Sequence, residues 1–320
     1  MSVEPLQPSA SPDAPDAPDA PDAPGSPDLR CPVCAAPLAS GERAFACANG
    51  HSFDRARQGY VNLLRPTRLR GDTPEMLRAR RRFLDAGWYA PLADALAEMV
   101  GAWLAEDGAA LPVETHALLD AGCGEGYYLG ALASALAPTS DVGDWRLYGL
   151  DLSKDAVRMA TARSRRVTWV VASSKDRLPF GEAGLGALLC VFAPRNPEEF
   201  ARVVAPGGLL LVVTPASEHL AEARAALPWL LTPEPAKDER LRATLEDAFV
   251  LAEAHSISFS LALDAAALAD LAEMTPHRPV EPAELEAAAH AAVERADGGR
   301  LIVHASCVAR RYLRRGVVSA

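Results

Sequence analysis

The chain has 320 residues, 49% of them apolar, and a formal net charge of −10. That length holds a catalytic domain plus a small accessory one, and the apolar fraction supports a sizeable buried core. No run approaches the roughly 20 apolar residues of a membrane span, and the N-terminus lacks the basic and apolar regions of a signal peptide, so a cytoplasmic protein without membrane contact is expected.

The charge is unevenly spread. Residues 1–28 contain a repeated Pro-Asp-Ala triplet and carry Glu4, Asp13, Asp16, Asp19, Asp22 and Asp28 with no base, a net −6. With almost nothing apolar to bury, this stretch is expected to be a disordered acidic tail.

Residues 29–64 read as a small metal-binding domain. Cys31, Cys34, Cys47 and His51 follow the spacing C-x2-C-x12-C-x3-H. Two ligand pairs on tight turns converge on one tetrahedral ion, and thiolates with an imidazole suit zinc. Four protein ligands close the site, so the zinc is structural. A redox CxxC would need a βαβ context, and a haem attachment would need His directly after the second Cys, where Ala35 stands. Cys123, Cys190 and Cys307 are scattered and make no disulfide framework with the cluster.

Residues 65–110 read as an Arg-rich linker and helices. From Arg55 to Arg82 nine arginines face only Asp72 and Glu75, a local net of +7. This stretch is a candidate phosphate-binding surface, with Phe53 and Tyr60 as candidate base-stacking rings; the plainer reading is an exposed helix face. Leu77, Phe83, Leu84, Leu92, Leu96, Met99 and Trp103 mark helices on either side of Gly87.

From residue 111 to 320 strands alternate with helices. "HALLDAGCGEG", "WRLYGLDLS", "VTWVVAS", "LGALLCVFAP" and "LLLVVTP" read as strands, with helices at "YYLGALASALA", "KDAVRMATARS" and "NPEEFARVVA". Asn196 is the expected N-cap of the last helix, and "PGG" a turn after it. "HSISFSLAL" and "IVHASCVARRY" add two strands with the helix "DAAALADLAEM" between them. The fold class is α/β: a Rossmann-like, doubly wound, mostly parallel sheet of seven strands.

The first strand ends in Asp120, Gly122, Cys123, Gly124, Glu125 and Gly126, a G-x-G-x-G loop with an acid two residues before the first glycine. Dinucleotide folds space their glycines G-x-G-x-x-G, and a pyrophosphate would be repelled by Asp120. An acid there suits an ammonium group. Asp151 closes the second strand, where a carboxylate accepts ribose hydroxyls. An amino-acid cation on one side and a ribose on the other describe S-adenosylmethionine. The loop resembles the first motif of class I methyltransferases, D/E-x-G-x-G-x-G. "VASSKDRLPF" fits the third-strand motif, with Ser173 and Ser174 facing the adenine where many such enzymes place Asp.

Beyond the zinc pattern come "GHSFDRARQGYVNLL", "GDTPEMLRARRRFLDAGWYAPL", "DAGCGEGYY", "VASSKDRLPF", "FARVVAPGG", "TPASEHL" and "EMTPH". This series, in this order, resembles the bacterial 23S rRNA (guanine-N1)-methyltransferases of the RlmA/TlrB group across residues 29–320. The resemblance implies methylation of guanine N1, at position 745 or 748, in a domain II hairpin of 23S rRNA. It implies Cys31, Cys34, Cys47 and His51 as zinc ligands, and Tyr89, the Gly122–Gly126 loop, Asp151 and His219 as cofactor contacts. It also implies a homodimer whose zinc domains flank an RNA cleft, and a contribution to macrolide-type antibiotic resistance in some producers. Tyr89 reads equally as a core aromatic, and His219 as a helix-capping surface residue.

"CVFAPRNP" after the fourth strand lacks the Pro-Cys of covalent pyrimidine methylation and the Asp/Asn-Pro-Pro-aromatic of adenine methylation. Direct displacement is therefore expected, with Phe192 stacking on the base and Arg195 stabilising charge at O6. Cys123 and Cys190 are expected as buried small residues. Two rivals stay open: a small-molecule methyltransferase with a zinc module, and a non-enzymatic RNA-binding scaffold.

Overall fold

The computed structural model describes residues 29–136, 145–232, 243–275 and 280–316; the acidic tail expected at 1–28 lies outside them. Three short antiparallel strands open the described chain: β1 (Leu38–Ser40), β2 (Ala44–Cys47) and β3 (Ser52–Asp54). β4 (Val61–Asn62) follows. Next come α1 (Pro74–Asp85) and α2 (Ala90–Ala105), on either side of Gly87 as the apolar spacing predicts. The α1 start is set locally: the Thr73 hydroxyl accepts from the Met76 amide at 3.3 Å, and Pro74 fills the first helical position.

The catalytic part runs β5 (Ala117–Ala121), α3 (Tyr127–Ala135), β6 (Arg146–Asp151), α4 (Lys154–Ala160), β7 (Val167–Val171), β8 (Leu185–Val191), α5 (Pro197–Val203) and β9 (Val204–Pro215). It continues with α6 (Ala221–Ala226), β10 (Phe249–Leu263), α7 (Ala265–Met274), α8 (Pro282–Glu294) and β11 (Leu301–Arg314). Every residue of β5 and β8 is buried. Strands covered on both faces need continuous apolar runs rather than alternation, and "ALLDA" and "LGALLCV" supply them. Asn196 caps α5 through the Glu199 amide at 3.4 Å, as read from the sequence.

The sheet has eight strands in the order β10-β11-β9-β8-β5-β6-β7-β4 rather than the seven expected. The seven are all present. The eighth is β4, from the stretch read as the metal-binding domain, which pairs parallel with β7 through Val61–Val170 and Asn62–Val171. β11 runs antiparallel between β9 and β10, and the other sheet neighbours are parallel. "PGG", expected as a turn, falls inside β9, where Gly207 has φ +78° and the register with β8 shifts between Leu185 and Ala187. The helix α8 has no counterpart in the sequence reading.

The order reverses between β5 and β8, the switch point where open α/β sheets bind ligands at their carboxyl ends. The metal-binding stretch is not separate from this body. Leu29, Leu38, Phe45, Val61 and Leu63 share one buried cluster with Tyr148, Val170, Leu178 and Phe180, and the Arg30 amide donates to Pro179 O at 2.8 Å.

Candidate active site and metal centre

The metal ligands converge. The Sγ atoms of Cys31, Cys34 and Cys47 and a ring nitrogen of His51 all lie within 4.8 Å of one another. Cys34 Sγ is 3.7 Å from Cys47 Sγ, which is 3.4 Å from His51 Nδ1. A tetrahedral zinc with Zn–S of about 2.3 Å needs a sulfur–sulfur spacing of about 3.8 Å, so the donor set fits the ion. Backbone donation by Ala36 and the Asn49 side chain hold the Cys34 thiol down at about 6, favouring the thiolate that a metal needs.

The glycine loop sits at the end of β5. Gly122, Gly124 and Gly126 all have positive φ, at +89°, +56° and +82°. A Cβ on Gly122 would lie 2.4 Å from Ala193 Cβ, and one on Gly126 would lie 2.7 Å from the Trp169 ring. These two glycines admit the chain's own packing, whereas a Cβ on Gly124 would have the Arg80 Nη1 as its neighbour, at 3.5 Å. The Asp120 carboxyl is 1% exposed, and its Oδ1 has no hydrogen-bond partner. Burial, helped by the Asp151 charge, pushes it up to about 7. A buried carboxylate oxygen left unpaired beside the loop suits the ammonium of S-adenosylmethionine. Asp151 accepts from the Gly124 amide at 2.9 Å and the Ser153 amide at 2.8 Å. Each oxygen keeps acceptor capacity for ribose hydroxyls. Ser173 and Ser174 are buried just beyond β7.

Glu125 and Cys123 point elsewhere. The Glu125 carboxylate, 1% exposed, accepts from Arg81 at 2.8 Å and from Arg163 at 2.7 Å. This bridge fastens the loop to α1. Removing one partner of such a buried pair costs about 3–5 kcal/mol. Burial raises the Cys123 and Cys190 thiols, to about 12 for Cys190, so both are inert.

An aromatic cluster lies over the loop. The Tyr89 hydroxyl is 3.3 Å from His219 Nε2, and the Tyr89 ring centroid is 5.4 Å from Phe259 and 6.5 Å from Phe192. Phe192 is 6.0 Å from His219 and 6.5 Å from Tyr128, ring to ring. Phe192 follows β8 with φ +51°, a strained conformation for a bulky residue, and remains 39% exposed. Tyr128, Phe259 and Arg163 were not singled out from the sequence, and Arg81 was read only as part of the arginine run. Tyr128 lies two residues beyond Gly126, a signal that was there to read; the burial of Glu125, which calls for its cations, was not. The Arg195 Nε is buried without a hydrogen-bond partner.

The arginine run divides. Arg78 pairs with Glu75 at 2.7 Å, Arg80 with Asp72, Arg81 with Glu125, and Arg82 with Asp270. Arg55 lies over the Phe45 ring. Arg57, Arg65, Arg68 and Arg70 are exposed and pair with no acid among the described residues. Tyr60 is 5% exposed in the core and cannot stack on a base from there, a correction to the sequence reading; Phe53 is half-buried.

Comparison with known proteins covers both parts. Residues 29–68 match the zinc-ribbon family described as RlmA, N-terminal, and residues 118–208 match a methyltransferase domain. The chain is 44% identical over 249 residues to the 23S rRNA (guanine(748)-N(1))-methyltransferase of Streptomyces fradiae, covering 78% of this chain and 84% of that one. A Micromonospora griseorubida protein, named as a candidate 23S rRNA (guanine-N1)-methyltransferase, is 46% identical over 231 residues, 68% of this chain and 76% of its own. The solved loganic acid methyltransferase with S-adenosylhomocysteine superposes with a TM-score of 0.53 at 12% identity, over 73% of this chain and 96% of that one, which shows the fold. Sequence likeness across most of the chain, a zinc-ribbon match and a class I methyltransferase sheet together place this chain in the 23S rRNA (guanine-N1)-methyltransferase family.

Proposed function

We propose that the chain transfers a methyl group from S-adenosylmethionine to N1 of guanine 748 in 23S rRNA, the position named for the Streptomyces fradiae relative. The cofactor supplies an electrophilic methyl group when bound. Asp120, the glycine loop, Asp151, Ser173, Ser174, Tyr89 and His219 are the residues that hold it, with Cys123 and Glu125 contributing loop backbone.

The observation that carries the acceptor side is Phe192. A bulky residue held at φ +51° and still 39% exposed, at the switch point and among Tyr89, Tyr128 and His219, is built to face a ligand. It stacks on the guanine. The N1–methyl bond would form as the methyl–sulfur bond breaks and S-adenosylhomocysteine leaves; the guanine N1 proton would pass to solvent, and the charge that builds at O6 would be stabilised by Arg195. The hairpin base leaves its stack to reach this site. Zinc, held by Cys31, Cys34, Cys47 and His51, keeps the N-terminal module folded for RNA recognition. The same reading includes a cytoplasmic homodimer; rRNA is the substrate class of the family, and no helix among the described residues is long and apolar enough to cross a membrane.

The test incubates the protein with labelled S-adenosylmethionine and unmodified 23S rRNA and maps the product by reverse transcription, which N1 methylation arrests. A stop at guanine 748 is expected. Label on a small molecule instead, with no stop in the rRNA, rejects the proposal. Near-normal turnover in Arg195→Ala removes the role given to that arginine.

A further inference from the structure

The methionine part of S-adenosylmethionine carries an ammonium and a carboxylate on one carbon. The unpaired Asp120 oxygen matches the ammonium. The carboxylate needs a cation on the same loop, and the nearby arginines can be sorted for it. Arg81 and Arg163 are spent on the buried Glu125, and Arg82 donates to both oxygens of Asp270 at 3.1 Å.

Arg80 is placed differently. Its Nη1 lies 3.5 Å from the point where a side chain on Gly124 would begin, in ordinary contact with the loop. Its Nη2 donates to Met274 O at the end of α7 at 3.1 Å, and Nη1 donates to Asp72. A guanidinium has five N–H donors in a rigid fork, so three remain. The guanidinium therefore lies against the loop that ends β5, with N–H donors unspent.

Asp72 holds it there. The segment before α1 follows the carboxyl ends of the strands: the Leu63 amide donates to Val171 O of β7 at 2.9 Å, and a Cβ on Gly71 would meet Ser153 Cβ, beyond β6, at 2.8 Å. Asp72 follows Gly71 and brings a carboxylate to Nη1, while Met274 O takes one hydrogen of Nη2.

Resting on the reading of the loop as an S-adenosylmethionine site, we infer that Arg80 binds the carboxylate of the cofactor's methionine part, with Asp72 and Met274 O orienting its guanidinium over Gly124. Binding of S-adenosylmethionine and of decarboxylated S-adenosylmethionine to the full chain, measured by calorimetry, tests this. The two ligands share adenosine, sulfonium and amine and differ in the carboxylate alone. Wild type should prefer S-adenosylmethionine by about 10–100-fold, the range of a charge-assisted pair. Arg80→Met should lose that preference while binding the decarboxylated ligand as wild type does, and Arg80→Lys should recover part of it. Equal weakening of both ligands in Arg80→Met, or no preference in wild type, overturns the inference. Wild type binding neither ligand overturns the cofactor reading beneath it. Should Arg80→Met fail to fold by thermal melting, the wild-type preference and its reduction in Arg80→Lys decide.

Discussion

Tyr89 and His219 lie 130 residues apart in the chain, yet the Tyr89 hydroxyl and His219 Nε2 are 3.3 Å apart in the buried wall of the site. His219 Nδ1 faces Ser306 O at 2.9 Å. Nδ1 also lies 3.1 Å from the Ser306 amide, so both neutral tautomers are served: with the proton on Nδ1, Nε2 accepts from the Tyr89 hydroxyl, and with it on Nε2, Nδ1 accepts from the amide and Nε2 donates to the Tyr89 oxygen. Burial pushes His219 down to about 4, so the ring stays neutral at ordinary pH.

That depression has a sign. Between about 6.5 and about 4 the unfolded chain takes up a proton at this histidine that the folded chain refuses, so folding stability falls as pH drops through this window. At about 1.4 kcal/mol per unit the loss reaches about 3 kcal/mol. The raised Asp120 acts in the opposite sense over the same range, so the comparison between proteins is the test: the change in urea-unfolding stability from pH 7 to 4.5 should differ by about 2 kcal/mol between wild type and His219→Gln. An unchanged difference in the variant refutes the neutral, buried histidine.

Asp120 is shifted in the opposite sense. Its folded value is about 7, and an ammonium beside it favours the carboxylate, so ligand binding releases a proton below that pH. Affinity for S-adenosylhomocysteine should fall roughly tenfold per unit as pH drops below about 7. Asp120→Asn should flatten the profile. Titration calorimetry between pH 5.5 and 7.5 measures both, and a flat wild-type profile contradicts the pairing of Asp120 with the ammonium.

The parts legible in the sequence are those whose signal is local. Cys31, Cys34, Cys47 and His51 sit on turns whose spacing is itself the geometry, and the Gly122–Gly126 loop follows directly from its strand. Tyr89 and His219 came through family resemblance, because nothing near either residue points to the other. β4 was missed: two residues make a strand only through β7, more than a hundred positions away. The arginine run read as one phosphate surface because Glu125 and Asp270, which neutralise Arg81 and Arg82, are 44 and 188 residues distant. Tyr60 looked available for stacking because it lies within the arginine run, while its ring is buried by remote packing.

The shared core changes what metal loss should do. A zinc module standing apart from the catalytic domain would let Cys47→Ser abolish rRNA methylation while leaving cofactor binding and stability untouched. Leu38, Phe45 and Cys47 pack in one cluster with Val170, Leu178 and Phe180, so the sheet edge depends on the metal-bound fold. Cys47→Ser, or chelation of wild type, should remove about one zinc per chain and lower the melting temperature by several degrees. Cofactor affinity should fall by only a few-fold, since Asp120 and Asp151 sit on central strands. Metal analysis, melting and calorimetry on the same samples check this. An unchanged melting temperature without zinc would show that the module packs independently of it.

The division of the arginines predicts two kinds of variant. Arg65, Arg68 and Arg70 are exposed and unpaired among the described residues, on the segment that runs from β4 to α1 over the carboxyl ends of β6 and β7. Replacing all three with Ala should weaken binding to a 23S rRNA hairpin and flatten its salt dependence, by about one unit of slope for each phosphate no longer neutralised. Stability and cofactor affinity should hold, because no partner is stranded. Arg81→Ala should do the reverse: it strands part of the buried Glu125 charge, lowers stability by about 3 kcal/mol and leaves the salt slope of RNA binding unchanged. Filter binding across a salt series, paired with denaturant unfolding, separates the two. A triple variant whose salt slope matches wild type places the phosphate-binding residues elsewhere on the protein.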